Sequence, residues 1–243
     1  MQVLNDILGY KNRKIFQDDD CFAFSLDSIM LANFVSIRYR DKKIVDLGCG
    51  NAVIPLVLSL RTNKPIVGVE LQKKIYDLAI KSVEINKLQS QICIVNGNIK
   101  DFVTQANIES FDVVTCNPPY FKVSDHKNLN LSLEKQIARH EVEITLSDIF
   151  CVSKKILKNN GTLAIVHRAD RLLEIFDEFR KNKIEPKRIQ FVYSTKDKSS
   201  ILVLIEGQKN GKPGLSVEKP FILYDKYGNL TEEYKLLTTE VRK

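Results

Sequence analysis

Between about residues 44 and 206 this chain alternates short β-branched runs with helical patterns, and that alternation constrains its fold more than any other feature. Strand-like runs at 44–47, 66–70, 91–95, 111–116 and 162–166 are interleaved with helical periodicity at 53–60, 73–86, 146–157 and 170–182. Strands separated by crossover helices pair in parallel and are covered on both faces. The helix over 146–157 opens on a capping box, Thr145 with Asp148, and stops at Asn159-Asn160-Gly161. Two further runs, 189–193 and 201–206, are joined by a polar link from Ser194 to Ser200 that is too short for a helix. They are expected to form an antiparallel hairpin at the edge of the sheet. The expected fold is α/β: a mainly parallel seven-stranded sheet with helices on both faces.

The 243 residues, 44% of them hydrophobic, suffice for one large core, so residues 1–243 are expected to be a single domain. Residues 1–40 read as an N-terminal extension, polar and charged at first and then an amphipathic helix from Asp27 to Ile37. Residues 207–243, with Gly211-Lys212-Pro213-Gly214, read as a C-terminal appendage. The interval from Thr115 to Glu143 is the longest without periodicity, and its 121–137 part is placed to act as a lid. No apolar run approaches the roughly 20 residues that span a bilayer, which predicts a cytoplasmic protein without a membrane partner. Five cysteines without a CxxC pair, and only three histidines, suggest neither a disulfide framework nor a metal site. A net charge of +7 permits a polyanionic partner, although the basic residues are spread along the chain.

Ile44 to Val53, IVDLGCGNAV, is a strand running into a glycine turn and then a helix. Gly48 and Gly50 allow a tight turn and close approach of a ligand to the backbone. The third glycine of a dinucleotide site is replaced by Val53, and Asp46 precedes the turn, where a carboxylate repels a pyrophosphate and attracts a cation. The cation this suggests is the amino group of a methionine-like moiety, as in S-adenosylmethionine. Glu70 ends the next strand, 20 residues after Gly50, where an acid can accept both hydroxyls of a ribose. Asn98, followed by Ile99, stands after the third strand, where an amide can meet an adenine edge.

Asn117-Pro118-Pro119-Tyr120 follows the run Phe111 to Cys116 and so occupies a strand end. The prolines stiffen the segment and remove two backbone donors. The side-chain oxygen of Asn117 and the carbonyl of Pro118 can accept both hydrogens of an –NH2 group, while Tyr120 stacks on the ring that carries it. A proline turn capped by asparagine is the plainer alternative for four such residues alone.

Together these residues resemble the class I S-adenosylmethionine-dependent methyltransferases of the N-P-P-[YFW] amino-methylating group, which have a Rossmann-like fold. The resemblance covers roughly residues 20–206: Val45 to Asn51 match the glycine motif, Glu70 the ribose acid, Asn98 the adenine position (more often aspartate), and Asn117 to Tyr120 the catalytic motif. Three more stretches are similar to the bacterial tRNA1(Val) adenine-N6 methyltransferases: Phe24 to Ala32, Ala138-Arg139-His140-Glu141, and Val166 to Leu172. The resemblance implies Asn117, Pro118 and Tyr120 as catalytic residues. It implies Asp27, Asp46, Gly48, Gly50, Asn51, Glu70, Asn98, Ile99 and Asn117 as cofactor contacts, and Pro119, Tyr120, Phe121, Arg139, His140 and Arg168 as substrate contacts. The implied substrate is adenine 37 in the anticodon loop of a tRNA.

Affinity for RNA would draw on Lys11, Arg13 and Lys14, on Arg38, Arg40, Lys42 and Lys43, and on the Lys122 to Lys127 loop. Surface ion pairing explains Arg139, His140 and Glu141 nearly as well as RNA contact. Rival substrates are a protein glutamine, an rRNA adenine or a DNA adenine. A rival of another class is a non-catalytic module that binds the cofactor or RNA.

Overall fold

A computed structural model of the chain describes residues 2–8, 10–18, 26–118 and 144–239. The central sheet is built from β3 (Ile44–Leu47), β4 (Ile66–Glu70), β5 (Ile92–Asn96), β6 (Phe111–Cys116), β7 (Leu157–Arg168), β8 (Ile184–Tyr193) and β9 (Ser200–Lys209). Their spatial order is β8-β9-β7-β6-β3-β4-β5, with every neighbour pair parallel except those involving β9. β9 lies between β7 and β8, so the expected hairpin closes this side of the sheet by inserting its second strand inward. The order reverses at β3, whose neighbours β4 and β6 lead to opposite edges. Such a switch point opens a crevice at the carboxyl ends of the strands.

Helices α1 (Leu26–Phe34), α2 (Val53–Leu58) and α3 (Lys73–Ile85) contribute to one core cluster, together with Ile44, Ile66 and Val113 of the sheet. Helices α4 (Leu146–Ile156) and α5 (Leu172–Lys181) contribute to the other, with Val45, Leu47, Val114 and Ile165. Side chains alternate across a strand, which explains why Ile44 and Val45, or Val113 and Val114, fall in different clusters. Phe150 of α4 meets Phe179 of α5 edge to face at 4.7 Å between centroids, and both rings are fully buried. The capping box at Thr145 forms as expected: Asp148 N donates to Thr145 Oγ1 at 3.1 Å and Thr145 N to Asp148 Oδ2 at 2.9 Å. β7 starts at Leu157, earlier than the expected strand at 162, because the chain leaves α4 directly into extended backbone and re-registers against β6 through Asn160, whose φ is +60°.

The ends carry elements that the sequence reading leaves out. β1 (Gln2–Ile7) and β2 (Tyr10–Asp18) form an antiparallel hairpin that docks on α3. Phe16 N donates to Ser82 Oγ at 3.0 Å, Lys14 N donates to Asn86 Oδ1 at 2.9 Å, and Lys74 pairs with Asp18 at 2.8 Å. The hairpin's polar surface hid it in the sequence, because its backbone is satisfied by side chains of a distant helix. In the C-terminal segment β10 (Ser216–Val217) and β11 (Phe221–Ile222) add in parallel to the outer edge of β8, making a nine-stranded sheet, and α6 (Glu232–Thr239) follows. Tyr10 Oη donates to Leu237 O at 2.7 Å, joining the two ends. Among the described residues no helix is long and apolar enough to cross a membrane.

Candidate active site

The site lies where β3 turns into α2. Gly48 and Gly50 have φ of +71° and +55°, the left-handed region that glycine enters without strain. A Cβ built on either meets nothing within 4 Å, so the turn presents open backbone. Its base is tied down: Gly48 N and Cys49 N both donate to Val69 O, at 2.9 and 3.0 Å. Gly68 of β4 permits this closeness, since a Cβ there would stand 2.7 Å from Cys49 Sγ.

Asp46 is fully buried in β3. Its register partners are Gly68 on one side and Thr115 on the other, and Thr115 Oγ1 donates to its Oδ1 at 2.7 Å. Oδ2 is buried without a hydrogen-bond partner. Burial pushes the Asp46 carboxyl up to about 8, with the Thr115 bond opposing and the nearby Glu70 adding to the rise. An unpartnered carboxylate oxygen beside an open glycine turn fits a cationic amino group, which would complete its bonding and restore its charge.

Glu70, at the end of β4, is 7% exposed and accepts from Gly50 N at 3.0 Å and Gln72 N at 2.8 Å. Burial raises its carboxyl, and these backbone donors oppose the rise. The acid thus braces the glycine turn and keeps acceptor capacity for hydroxyl groups. Asn98 Oδ1 accepts from Lys100 N at 2.9 Å, a local turn that leaves the amide nitrogen as its contact group. Ile99 is 1% exposed and belongs to the core with Val69 and Leu47. Asn51 Nδ2 donates to Phe16 O at 3.0 Å and ties the glycine turn to the N-terminal hairpin.

Asn117 follows β6 directly, and its Nδ2 donates to Ser28 Oγ in the first turn of α1 at 2.9 Å. Asp27 is the neighbouring half-buried residue on that turn. Pro118 is buried. Pro119, Tyr120, Phe121, Arg139, His140 and the 121–137 lid lie outside the described residues. Arg168 ends β7, the neighbour of β6, and pairs with Asp170 at 2.6 Å. His167 beside it is 1% exposed, and burial brings its imidazole down to about 4.

The basic residues considered for RNA divide by position. Arg38, Arg40, Lys42 and Lys43 precede β3 and stand at the amino end of the sheet, opposite the glycine turn, with β3 itself about 13 Å long between them. Arg38 there pairs with the buried Asp41 at 3.1 Å, and Lys158 with Asp112 at 2.8 Å. That end is stitched by structural ion pairs and faces away from Asn117.

A doubly wound sheet with this strand order, a glycine turn at its switch point and an acid ending the next strand defines a class I S-adenosylmethionine-dependent methyltransferase. The profile of the Methyltransferase small domain family matches residues 26–184, and the chain belongs to that family. It is similar to the tRNA1(Val) (adenine(37)-N6)-methyltransferase of Flavobacterium psychrophilum, with 22% identity over 84% of this chain and 87% of that protein. The protein of the same name from Actinobacillus pleuropneumoniae serotype 5b is 23% identical over 95% of each chain. Among solved structures, a predicted O-methyltransferase from Agrobacterium tumefaciens superposes with a TM-score of 0.69 at 18% identity, covering 88% of this chain and 95% of that one. Ser28 and Thr115, to which sequence reasoning assigned no role, hydrogen-bond to Asn117 and Asp46. Ser28 stands in the Phe24 to Ala32 stretch, but neither bond has a local pattern that announces it.

Proposed function

We propose that this methyltransferase modifies N6 of an adenine in tRNA, with adenine 37 of tRNA1(Val) as its target. The observation that carries the proposal is Asn117 at the end of β6, bound to α1 on the face of the sheet that also holds Asp46. The names of the relatives support tRNA as the substrate. Residues 1–243 would act as one domain, with the hairpin and the C-terminal segment packed on its core.

S-adenosylmethionine, when bound, supplies an electrophilic methyl group on a sulfonium. Asp46 would hold the amino group of its methionine tail, the Gly48 to Gly50 backbone its chain, Glu70 the ribose hydroxyls and Asn98 the adenine edge. Asn117 Oδ1 and the Pro118 carbonyl accept the two N6 hydrogens of the target, drawing them out of the ring plane so that the nitrogen lone pair becomes available. Positioning of this kind is worth about 7–11 kcal/mol in well-oriented reactions. Tyr120 stacks on a base turned out of the anticodon loop, a step that costs a few kcal/mol. Arg139, His140 and Arg168 would contact the RNA. The proton lost from N6 leaves after transfer, since the methylated ammonium is strongly acidic.

The test is incubation with labelled S-adenosylmethionine and, separately, total tRNA, rRNA, DNA and protein, followed by mass spectrometry of the labelled unit. N6-methyladenine at position 37 of tRNA1(Val) is the expected product. Label confined to protein, rRNA or DNA overturns the tRNA assignment, and an Asn117→Ala variant of full activity overturns the mechanism.

A further inference from the structure

We propose that the carboxyl rim of the sheet beside β8 and β9 is the surface on which the substrate RNA lays its phosphate backbone. The proposal rests on the reading that the chain methylates tRNA, and it names cations that would hold that tRNA. Cys116, the residue before Asn117, is level with Ile165 of β7, which is level with Ile205 of β9 and so with Ile189 of β8. β8 runs on to Tyr193 and β9 begins at Ser200, so the loop between them stands beyond Asn117 on the carboxyl side. β9 lies two strands from β6, about 10 Å at roughly 4.8 Å per spacing, so this loop flanks the mouth of the crevice.

The loop is a fixed mount for positive charge. Lys198 N donates to Thr195 O at 3.2 Å, closing a β-turn, and Ser200 Oγ donates to Val192 O at 3.0 Å beneath it. Lys196 and Lys198 are exposed, and among the described residues neither ammonium has an ion-pair or hydrogen-bond partner. Asp197 between them is exposed too, and stays in water while the flexible lysine stems reach a phosphate. A second turn stands alongside. β11 pairs in parallel with β8, Ile222 level with Tyr193, and Tyr224 N donates to Ser194 O at 2.9 Å. The chain then turns at Asp225, whose Oδ1 accepts from Tyr227 N and Asn229 N at 2.8 and 2.9 Å, so this carboxylate is taken up by its own turn. The turn presents Tyr227, 77% exposed, with Lys226 Nζ 4.9 Å from its ring centroid. Unpaired ammonium groups with an exposed ring beside them suit a nucleic acid: phosphates neutralise the cations, and an unstacked base lies on the ring. Arg168 and Arg171, nearer the crevice, share their charge with Asp170 and Glu174. The basic residues before β3 stand at the opposite end of the sheet.

The test is the tRNA affinity of the full chain as a function of salt. At about 0.1 M salt, Lys196→Gln combined with Lys198→Gln is expected to weaken binding of a tRNA transcript about tenfold or more, and to flatten the slope of log Kd against log salt by about 1–2. Lys196→Arg with Lys198→Arg should keep the wild-type slope. Tyr227→Ala should weaken binding about fivefold at unchanged slope, and Tyr227→Phe should restore it. The control is Lys154→Gln with Lys155→Gln, which removes the same charge from the last turn of α4, at the amino end of the sheet, and should leave affinity and slope near wild type. Wild-type affinity and slope in Lys196→Gln with Lys198→Gln, or an equal loss in the control, overturns the surface while wild-type binding and methylation of tRNA stand. A wild-type chain that neither binds nor methylates tRNA overturns the tRNA reading, and the surface with it. Anionic vesicles that bind the wild type but not Lys196→Gln with Lys198→Gln, at unchanged tRNA affinity, assign the turn to a membrane surface and overturn the proposal as well.

Discussion

Replacing Asp46 by asparagine tests the cofactor site most directly, because the buried carboxyl is raised to about 8. Between pH 5.5 and 7.5 the empty site holds Asp46 mainly as the neutral acid, and an α-amino group of ordinary basicity (about 7.7–8.0) stays mainly protonated. Pairing with that ammonium requires Asp46 to ionise, so binding releases about one proton. At pH 6, two units below its midpoint, this costs about 2.7 kcal/mol, or roughly 100-fold in affinity relative to the ionised site. The dissociation constant should therefore fall about tenfold for each pH unit gained. Calorimetry with S-adenosylhomocysteine, which has the same amino acid tail without the sulfonium, reads both the affinity and, in buffers of different ionisation heat, the proton. Asp46→Asn should bind with little pH dependence and release no proton. Glu70 faces the same carboxyl and raises it, while Thr115 lowers it. Thr115→Val should accordingly move the pH profile upward. A wild-type affinity that changes less than threefold across this range, or a slope that survives in Asp46→Asn, refutes the ion pair. The same shift has a stability consequence. The folded state binds the extra proton above the unfolded value, so the unliganded protein loses stability as pH rises from about 4 to about 8, and Asp46→Asn should weaken that loss.

His167 gives the opposite sign. Its imidazole is brought down to about 4, so the stability tied to its neutral form is present above pH 6.5 and lost as pH falls toward 4, by at most about 3 kcal/mol. Urea unfolding at pH 7 and pH 5 should show less of this loss in His167→Gln. Gly68→Ala would place a Cβ 2.7 Å from Cys49 Sγ and 2.8 Å from Ile94 Cδ1, and should cost about 1–3 kcal/mol of stability together with weaker cofactor binding. Unchanged melting in that variant would mean that the glycine turn has slack. Arg188→Ala leaves Glu206, 6% exposed, with only its Ser36 donors among the described residues, and should destabilise by about 2–4 kcal/mol in urea titration; an effect below 0.5 kcal/mol would show that the pair does not anchor α1.

How much was legible in the chain follows from the range of each interaction. The β3 to α2 turn, Glu70 at the end of β4 and the capping box at Thr145 are written in contiguous residues, and the structure places each where the sequence puts it. The strand pattern announced seven main strands, and their alternation announced a parallel sheet. The N-terminal hairpin was missed because its strands are polar; Ser82 and Asn86 satisfy part of their backbone from some 66 to 72 residues away. Asn51 reads from the sequence only as a neighbour of Gly50, and its bond from Nδ2 to Phe16 O, 35 residues away, is visible only in the structure. Arg38 to Lys43 read as an RNA surface because they are basic, and the direction of β3 puts them at the far end of the sheet.

Residues close in sequence thus determined the chemistry on offer: a buried acid before a glycine turn, a second acid one strand later, and an amide at a strand end. Which of these groups meet was decided only in three dimensions. Thr115 reaches Asp46 across 69 residues and Ser28 reaches Asn117 across 89, because a parallel sheet brings its carboxyl ends to one rim and packs α1 against that face. The physical reason is one of range: backbone periodicity and turn preference act over a few residues. The state of Asp46 depends on burial and on the Thr115 donor that only the assembled sheet supplies.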